Sequence, residues 1–437
     1  MPLSSAPIAR AGFFFGPTAD RLGFFVLFLW AFFAWNFYAG SWGDDLAALW
    51  FAGHLHATGQ DGLIYAAPET FFGGTPSEWQ PLLDSVRTTG REKAYPYIYP
   101  PLWAGLVAPL AKTLSPWAFQ KIFLTLHVGL LVISSLLAES IARPDWMPRL
   151  VFRLWVVAIL MFSAPATALL WLNQPTTIVN FLVLLSVAVS LRRPIIAGAA
   201  LAVATAIKIT PFVFALQFFQ RPRRTGGGTR RILFSFALCG LALGVLSVAT
   251  MGWPMHYAFL EQLKLAASKA VWALMNPSPR LLVLDLANQL PQGPELAAIG
   301  HRRQIVTEIP RWAVALGEAM FLGICALTLR VSLCRHGPQA RTLTVLSLSI
   351  ALFLFGPVSW LHYLVLPLML APALGAGMSR TGLTAILALL FIGSSMTLAK
   401  SFVRLGAELM PYTLMISALW AIALAATLIA LARQPRH

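Results

Sequence analysis

Apolar stretches of near-membrane length recur along the whole of this sequence, at roughly residues 22–39, 101–113, 116–139, 150–172, 175–191, 194–219, 231–252, 311–332, 342–357, 359–377, 382–399 and 409–432. A chain inside hydrocarbon must satisfy every backbone N–H and C=O internally, and an α-helix of about 20 residues does so within one segment. The breaks between the runs are rich in arginine or carry proline and glycine, as helix ends require. Only 11% of the residues are charged and 58% are hydrophobic, against about a quarter charged in a soluble domain. The pattern predicts an all-α, polytopic integral membrane bundle of about ten to twelve transmembrane helices, with residues 1–437 as a single domain.

The 32 Lys and Arg exceed the 16 Asp and Glu, a formal net charge of +16. In a soluble protein that surplus would suit nucleic acid. Here the basic residues gather in short loops, at Arg192-Arg193, from Arg221 to Arg231 and from Arg335 to Arg341. Such loops face anionic lipid on the cytoplasmic side of a membrane, so the expected partner is membrane lipid and not nucleic acid. Cys239, Cys325 and Cys334 lie in or beside apolar runs with no paired spacing, which implies neither a disulfide framework nor a zinc site. Gly226-Gly227-Gly228 lack the lysine and Ser/Thr of a phosphate-cradling loop, and no dinucleotide fingerprint or His/Glu helix pair occurs, so no cofactor or metal is expected. Bulky Trp35, Phe37 and Tyr38 stand where a signal peptide would show small residues. Residues 1–21, with Arg10 and Arg21, therefore read as a cytoplasmic N-terminus before an uncleaved first span.

Residues 40–101 interrupt the apolar runs and read as a large first outer loop. Leu46, Leu49, Trp50, Gly53 and Ala57 recur at helical spacing, predicting a short helix in the plane of the interface with its apolar face down. Gly59 to Gly62 ends it, and residues 94–101, with three prolines and three tyrosines, form an extended aromatic clamp. The run 101–113 is short for a crossing. If it lies in the plane, residues 143–153 are cytoplasmic, Asn173-Gln174 is outside, and 194–219 is two half-helices meeting near Lys208. Residues 253–310 are then a second outer loop, and Trp360 to Tyr363 returns outside. In the competing topology 101–113 and 116–139 both cross, 194–219 is a single span and 143–153 is outside. Loop charge favours the first arrangement.

The acidic pair Asp44-Asp45 precedes the loop helix. One aspartate there serves as a helix cap, worth about 1 kcal/mol; the other is surplus and becomes a candidate general base, able to take the proton of an acceptor hydroxyl. Lys208 lies in the apolar run LAVATAIKITPFVFAL, three residues before the helix-breaking Pro211. A mid-membrane lysine costs about 2.5 to 3.5 kcal/mol on insertion scales, so it either snorkels or faces an anionic phosphate in a cavity. His362 and Tyr363, Asn173-Gln174 before Pro175, and Arg280 after Asn276-Pro277-Ser278-Pro279 are polar groups at helix ends or in the second outer loop. Capping or interfacial anchoring competes with ligand binding for each. Arg87, Arg91 and Lys93 read as solvated charges, and Trp79, Tyr95, Tyr97, Tyr99 and Trp272 as anchors or sugar-stacking rings.

The run Asp45-Leu-Ala-Ala-Leu-Trp50-Phe-Ala52-Gly53 with Gly59 and Tyr65, then Tyr97-Ile-Tyr99-Pro100-Pro101, Asn173-Gln174, RRPIIAGAALAVATAIKITP and Trp360-Leu-His362-Tyr363 resembles glycosyltransferase family 87. Those are polyprenyl-phosphate-sugar-dependent enzymes of the GT-C superfamily, related to the mannosyltransferase that extends phosphatidylinositol mannosides. The resemblance implies a GT-C fold, a lipid-phosphate sugar donor and an inverting transfer at the outer face of the cytoplasmic membrane. It implies Asp45 as base, or Asp44 after a one-residue shift, and His362 on the donor phosphate with Lys208, Arg280 and Tyr363. Asn173, Gln174, Tyr97, Tyr99 and Trp360 would bind substrate. Two departures stand out: Asn173 occupies a position more often Gly, and Pro277 splits an Asn-Ser-like site. The expected activity is transfer of a mannose-like hexose or pentose to a lipid or glycan acceptor of the cell envelope. The alternative is a flippase for a lipid-linked sugar, since transporters also place polar groups at broken helices.

Overall fold

The computed structural model describes residues 16–68, 71–72, 74–220, 227–274, 276–289, 304–404 and 409–435. Arg10, residues 221–226 of the basic loop, residues 290–303 of the second outer loop and the Trp272 side chain lie outside that description. The helices in chain order are α1 (Pro17–Tyr38), α2 (Asp44–Ala57), α3 (Gln80–Val86), α4 (Leu102–Thr113), α5 (Pro116–Ala142), α6 (Arg149–Phe162), α7 (Ala164–Trp171), α8 (Thr176–Val189), α9 (Pro194–Ile207), α10 (Gly227–Ala267), α11 (Pro279–Leu286), α12 (Arg311–Leu333), α13 (Pro338–Phe355), α14 (Val365–Leu370), α15 (Arg380–Gly393), α16 (Met396–Arg404) and α17 (Leu409–Ala432). Among the described residues six helices are long and apolar enough to cross a membrane, α1, α5, α10, α12, α13 and α17, or seven if the bent pair α7–α8 is one span. Shorter apolar helices, α9, 210–219, 361–376 and α15, supply the rest of the bundle. The chain is an all-α polytopic membrane protein.

The sorting of side chains follows from lipid as solvent. α1 and α10 turn Phe25, Phe28, Phe32, Phe234, Leu241 and Val245 outward, whereas α13 is buried on nearly every side. Small residues let helices close up: a Cβ on Gly198 of α9 would meet the Ile232 carbonyl oxygen of α10 at 2.3 Å.

One end of the bundle is basic and tied by ions. Arg153, only 3% exposed, grips Glu139 through Nε (2.6 Å) and Nη2 (3.2 Å) and donates Nη1 to the Asp20 carbonyl (2.8 Å). Arg149 adds a bond to the Asp20 carboxylate (3.2 Å), so the start of α1, the end of α5 and the start of α6 share one end. Arg341 Nη1 to Ser190 Oγ (2.7 Å) and Thr342 Oγ1 to the Ile141 carbonyl (3.2 Å) bring the starts of α13 and the loop after α8 to that same end. These contacts match the arrangement in which 143–153 lies on the side of the N-terminus.

At the opposite end sits the first loop. α2 was expected to lie with one face down; instead Leu46 to Gly53 are all buried. The reason is cover from several sides: α4 packs along α2, with Gly53 so close to Val107 that a Cβ would come within 2.8 Å of its side chain. Trp79 stacks on Phe51 at 5.5 Å on another face. α2 ends where expected, Gly59 (φ 72) allowing Gln60 N to reach the Leu55 carbonyl and Gly59 N that of His56. Glu92 closes the loop before the aromatic clamp by accepting from the backbone N–H groups of Thr88, Thr89 and Arg91. Burial would raise its pKa, but the N–H groups of Thr88, Thr89 and Glu92 itself, with the Thr88 hydroxyl, bring it down to about 2.

α10 bends at Gly252 (φ 74) before Pro254 and runs on as helix to Ala267, so the stretch expected to be a second outer loop begins helical. A small antiparallel sheet follows, of β1 (Lys269–Ala273), β2 (Asn276–Pro277) and β3 (Gln304–Glu308) in the order β2-β1-β3. Val271 and Ala273 pack with Phe71 and Phe72 of the first loop and with Val358 and Trp360, making a roof over the segment that leads into His362.

Candidate active site

Gly43, not an aspartate, is the N-cap of α2, and no side chain caps it. Both carboxylates fall in the first turn, where the helix dipole favours negative charge. The capping role expected for one member of the pair is thus filled by backbone geometry, which frees both carboxylates for other contacts. They diverge. Asp44 turns to the clamp, its carbonyl accepting from Tyr95 N (3.3 Å) and its carboxylate from Lys93 N. Burial, together with the charge of Asp45, pushes Asp44 up to about 7. Asp45 turns inward and accepts from Gln174 Nε2. Burial raises it to about 6, a rise restrained by the Gln174 bond and the charge of Lys208.

Gln174 is delivered by a sharp reversal. α7 and α8 are bent by 117° across residues 172–175. Asn173 takes the left-handed conformation (φ 51), with its N–H on the Leu170 carbonyl and Gln174 N on that of Leu169. That is the glycine-type helix stop, in which Asn is the usual substitute. Pro175 then starts α8.

Lys208 sits at a second break. α9 ends at Ile207, Lys208 is extended (φ −140, ψ 138), and a 3-10 helix runs from Thr210 to Phe219. Thr210 precedes Pro211, which disfavours continued α-helix. The ammonium donates to Thr176 Oγ1 (2.7 Å) and Gln174 Oε1 (3.4 Å) and lies over the rings of Tyr363 (5.2 Å) and Tyr99 (5.6 Å). Tyr99 OH also donates to Gln174 Oε1 (3.4 Å). Lys208 therefore does not snorkel. It is held by neutral oxygens and π faces, with one bridging amide between it and Asp45.

A cleft of about 610 Å³ opens from this cation. Val179, Phe214, Leu352, Pro357, Val358 and Leu366 give it apolar walls; Thr176, Asn180, Lys208 and Tyr363 give it a polar end. Asn180 Nδ2 is buried without a hydrogen-bond partner.

The remaining candidates divide. His362 is buried behind Tyr363 (rings 4.7 Å apart) and parallel to Trp360 (6.4 Å), with Nε2 unpartnered, and it does not line the cleft. Trp360 joins the roof through Phe72 (6.0 Å). Tyr97 is buried, its OH on the Pro100 carbonyl (2.8 Å) and its ring against Tyr65 and Tyr99; it props Tyr99 and does not reach Lys208. Arg280 is buried on α11 along Gly317 of α12, two guanidinium nitrogens unpartnered, and no described contact joins it to the Lys208 cluster. Among the described residues no three His, Cys, Asp or Glu converge as metal ligands. Sequence reasoning overlooked Thr176, Asn180, Gln120 and His127. The last two stand seven residues apart on α5, one helical face, and a histidine inside an apolar run was the available signal.

Fold and site together define a multi-pass membrane protein whose first loop brings a carboxylate, through one bridging amide, to a cation that lines the polar end of an apolar cleft. The sequence profile of Glycosyltransferase family 87 matches residues 97–361, more than half of the chain, and the protein belongs to that family. It is a membrane glycosyltransferase. Tyr97, Tyr99, Asn173, Gln174, Lys208, Arg280 and Trp360 lie within the matched stretch, whereas Asp44, Asp45, His362 and Tyr363 lie outside it. No curated protein matches the chain.

Proposed function

We propose that the protein transfers a mannose-like hexose or a pentose from a polyprenyl-phosphate sugar to a lipid or glycan acceptor, with inversion, at the outer face of the cytoplasmic membrane. The observation that carries this reading is the connected set Asp45–Gln174–Lys208–Tyr363, of which Lys208 and Tyr363 line the polar end of the apolar cleft and Gln174 links Asp45 to them. The Asp45 carboxylate removes the proton of an acceptor hydroxyl, whose oxygen attacks the anomeric carbon. The bond from that carbon to the phosphate oxygen breaks, and its electron pair departs on the polyprenyl phosphate. Lys208 and the Tyr363 hydroxyl meet the charge that develops there, the Asn180 amide supplies a further donor, and the apolar walls receive the isoprenoid tail. Asp44, turned to the clamp, is not the base. The basic loops gathered at the remote end of the bundle support an outward-facing site.

The test is transfer from labelled undecaprenyl phosphates carrying mannose, glucose, galactose or arabinose to lipids extracted from membranes that lack this protein. Asp45→Asn is expected to lower the rate by about 10²- to 10⁴-fold, with Asp44→Asn far less affected. Full transfer by Asp45→Asn and by Asp44→Asn alike would overturn the assignment.

A further inference from the structure

Beside the site runs a buried chain of hydrogen bonds whose direction is fixed by chemistry. The Gln120 main-chain carbonyl can only accept, so the Asn173 atom 2.9 Å from it is Nδ2, which also donates to Gln120 Oε1 (3.2 Å). Asn173 Oδ1 must then accept, and His127 Nδ1, at 2.7 Å, carries the proton. With Oε1 engaged, Gln120 Nε2 donates to the Gly43 carbonyl (2.9 Å). The chain therefore runs from His127 through Asn173 and Gln120 to the residue that caps α2, immediately before Asp44-Asp45. His127, Asn173 and Gln120 are each 5% exposed or less.

The two segments it joins touch directly. A Cβ on Gly43 would lie 2.6 Å from the Asn173 Cβ and 2.8 Å from the Leu172 carbonyl oxygen, and Leu46 N reaches that carbonyl at 3.4 Å. Asn173 thus does two things. Its backbone makes the left-handed stop that turns Gln174 toward Asp45, and its side chain holds Gln120, whose Nε2 in turn bonds the start of α2 at the Gly43 carbonyl. Glycine would satisfy the first requirement alone.

We propose that Asn173, braced by His127 and Gln120, is a positioning residue that sets the angle at which Asp45 meets Gln174 and the acceptor, without itself touching substrate. The proposal rests on Asp45 acting as the base. A carboxylate displaced by about 1 Å loses on the order of 10²-fold in rate while donor binding, made elsewhere in the cleft, persists.

Asn173→Gly, which keeps the backbone and deletes the bonds, and Gln120→Met, which deletes the bond to Gly43, are compared with wild type and Asp45→Asn in the labelled-donor assay, alongside thermal unfolding in detergent. For both variants kcat is expected to fall by about 10- to 100-fold, with KM for donor within about threefold and the acid limb of the pH–rate profile displaced. Wild-type kcat in both, or losses of kcat, KM and unfolding midpoint that track one another, overturns the positioning role. An inactive Asp45→Asn beside a fully active Asn173→Gly removes the positioning role of Asn173 and leaves the base in place, whereas a fully active Asp45→Asn removes the base itself.

Discussion

Replacing Lys208 by methionine asks whether the carboxylate and the cation share one site. The two are bridged by a single amide, Gln174 giving Nε2 to Asp45 and taking Lys208 Nζ on Oε1 at 3.4 Å. Across such a bridge the charges stand roughly 6 Å apart, worth about 2 to 3 kcal/mol at an effective dielectric of 20, or roughly one to two pH on the carboxylate. The sign follows from what holds Asp45 near 6: burial raises it, while Gln174 and the Lys208 charge restrain the rise. A general base works only when deprotonated, so wild-type transfer should climb as pH rises through about 6 and level off above it. Removing the cation leaves burial less opposed, and the acid limb should move upward by roughly one to two pH. The maximal rate should also fall by about 10²- to 10³-fold, since a donor to the leaving phosphate is lost. Initial rates with labelled donor across pH 4.5 to 9 separate the two effects, with Lys208→Arg as the variant that restores the limb. A limb that stays put in Lys208→Met would refute the coupling and show that the titrating group is not Asp45.

Two further substitutions probe the frame. Gly43→Ala places a methyl 2.6 Å from Asn173 Cβ and should cost about tenfold or more in transfer, whereas Gly40→Ala, with nothing within 4 Å, should be silent; equal activity of the two would contradict the close approach. Arg153→Met leaves the Glu139 carboxylate with only the longer contact to Arg149 Nε at 3.5 Å and should destabilise by about 1 to 3 kcal/mol, seen as a lower unfolding midpoint in detergent. Transfer per folded molecule should not change, because Glu139 lies 19 residues beyond Gln120 on α5, about 28 Å along the axis.

The long helices were legible because hydropathy is a local property and lipid enforces it. So was the break at Lys208, since proline acts on the residue before it whatever the surroundings. The setting of α2 was not. Its leucine and tryptophan spacing named one buried face, while Ala47, Ala48 and Ala52 gave no sign of a second, and that face exists only because α4 folds back against it. The cap failed for a related reason: aspartate is a strong capping residue in isolation, but Gly43 holds the cap position and the Leu46 N–H that a capping side chain would take reaches the Leu172 carbonyl, far along the chain. Asp45, Gln174 and Lys208 were legible as chemistry and met in space. Arg280 carried equal chemical promise, yet it lies along α12, because where α11 packs depends on α12 and α17 and not on its own sequence.

The site occupies two backbone breaks, and the two solve the problem of polar groups at a helix end differently, one within its own turn and one with a side chain from α4. At the α7 stop the turn closes its own carbonyls, and the Asn173 side chain holds the Gln120 that bonds the α2 cap. At the end of α9 the Ala206 carbonyl, one of the last four that no helix bond can satisfy, accepts from Trp103 Nε1 of α4 at 2.8 Å. α4 is the helix packed along α2. The carboxylate on α2 and the ammonium just past α9 are therefore referenced to one another twice, through Gln174 on one side and through α4 and Trp103 on the other. A short helix such as α4, too brief to span a bilayer, has its use here as a spacer between the Asp45 carboxylate and the Lys208 ammonium, and in the proposed reaction this separation, more than the strength of any single contact, governs whether proton removal and phosphate departure occur on one bound sugar.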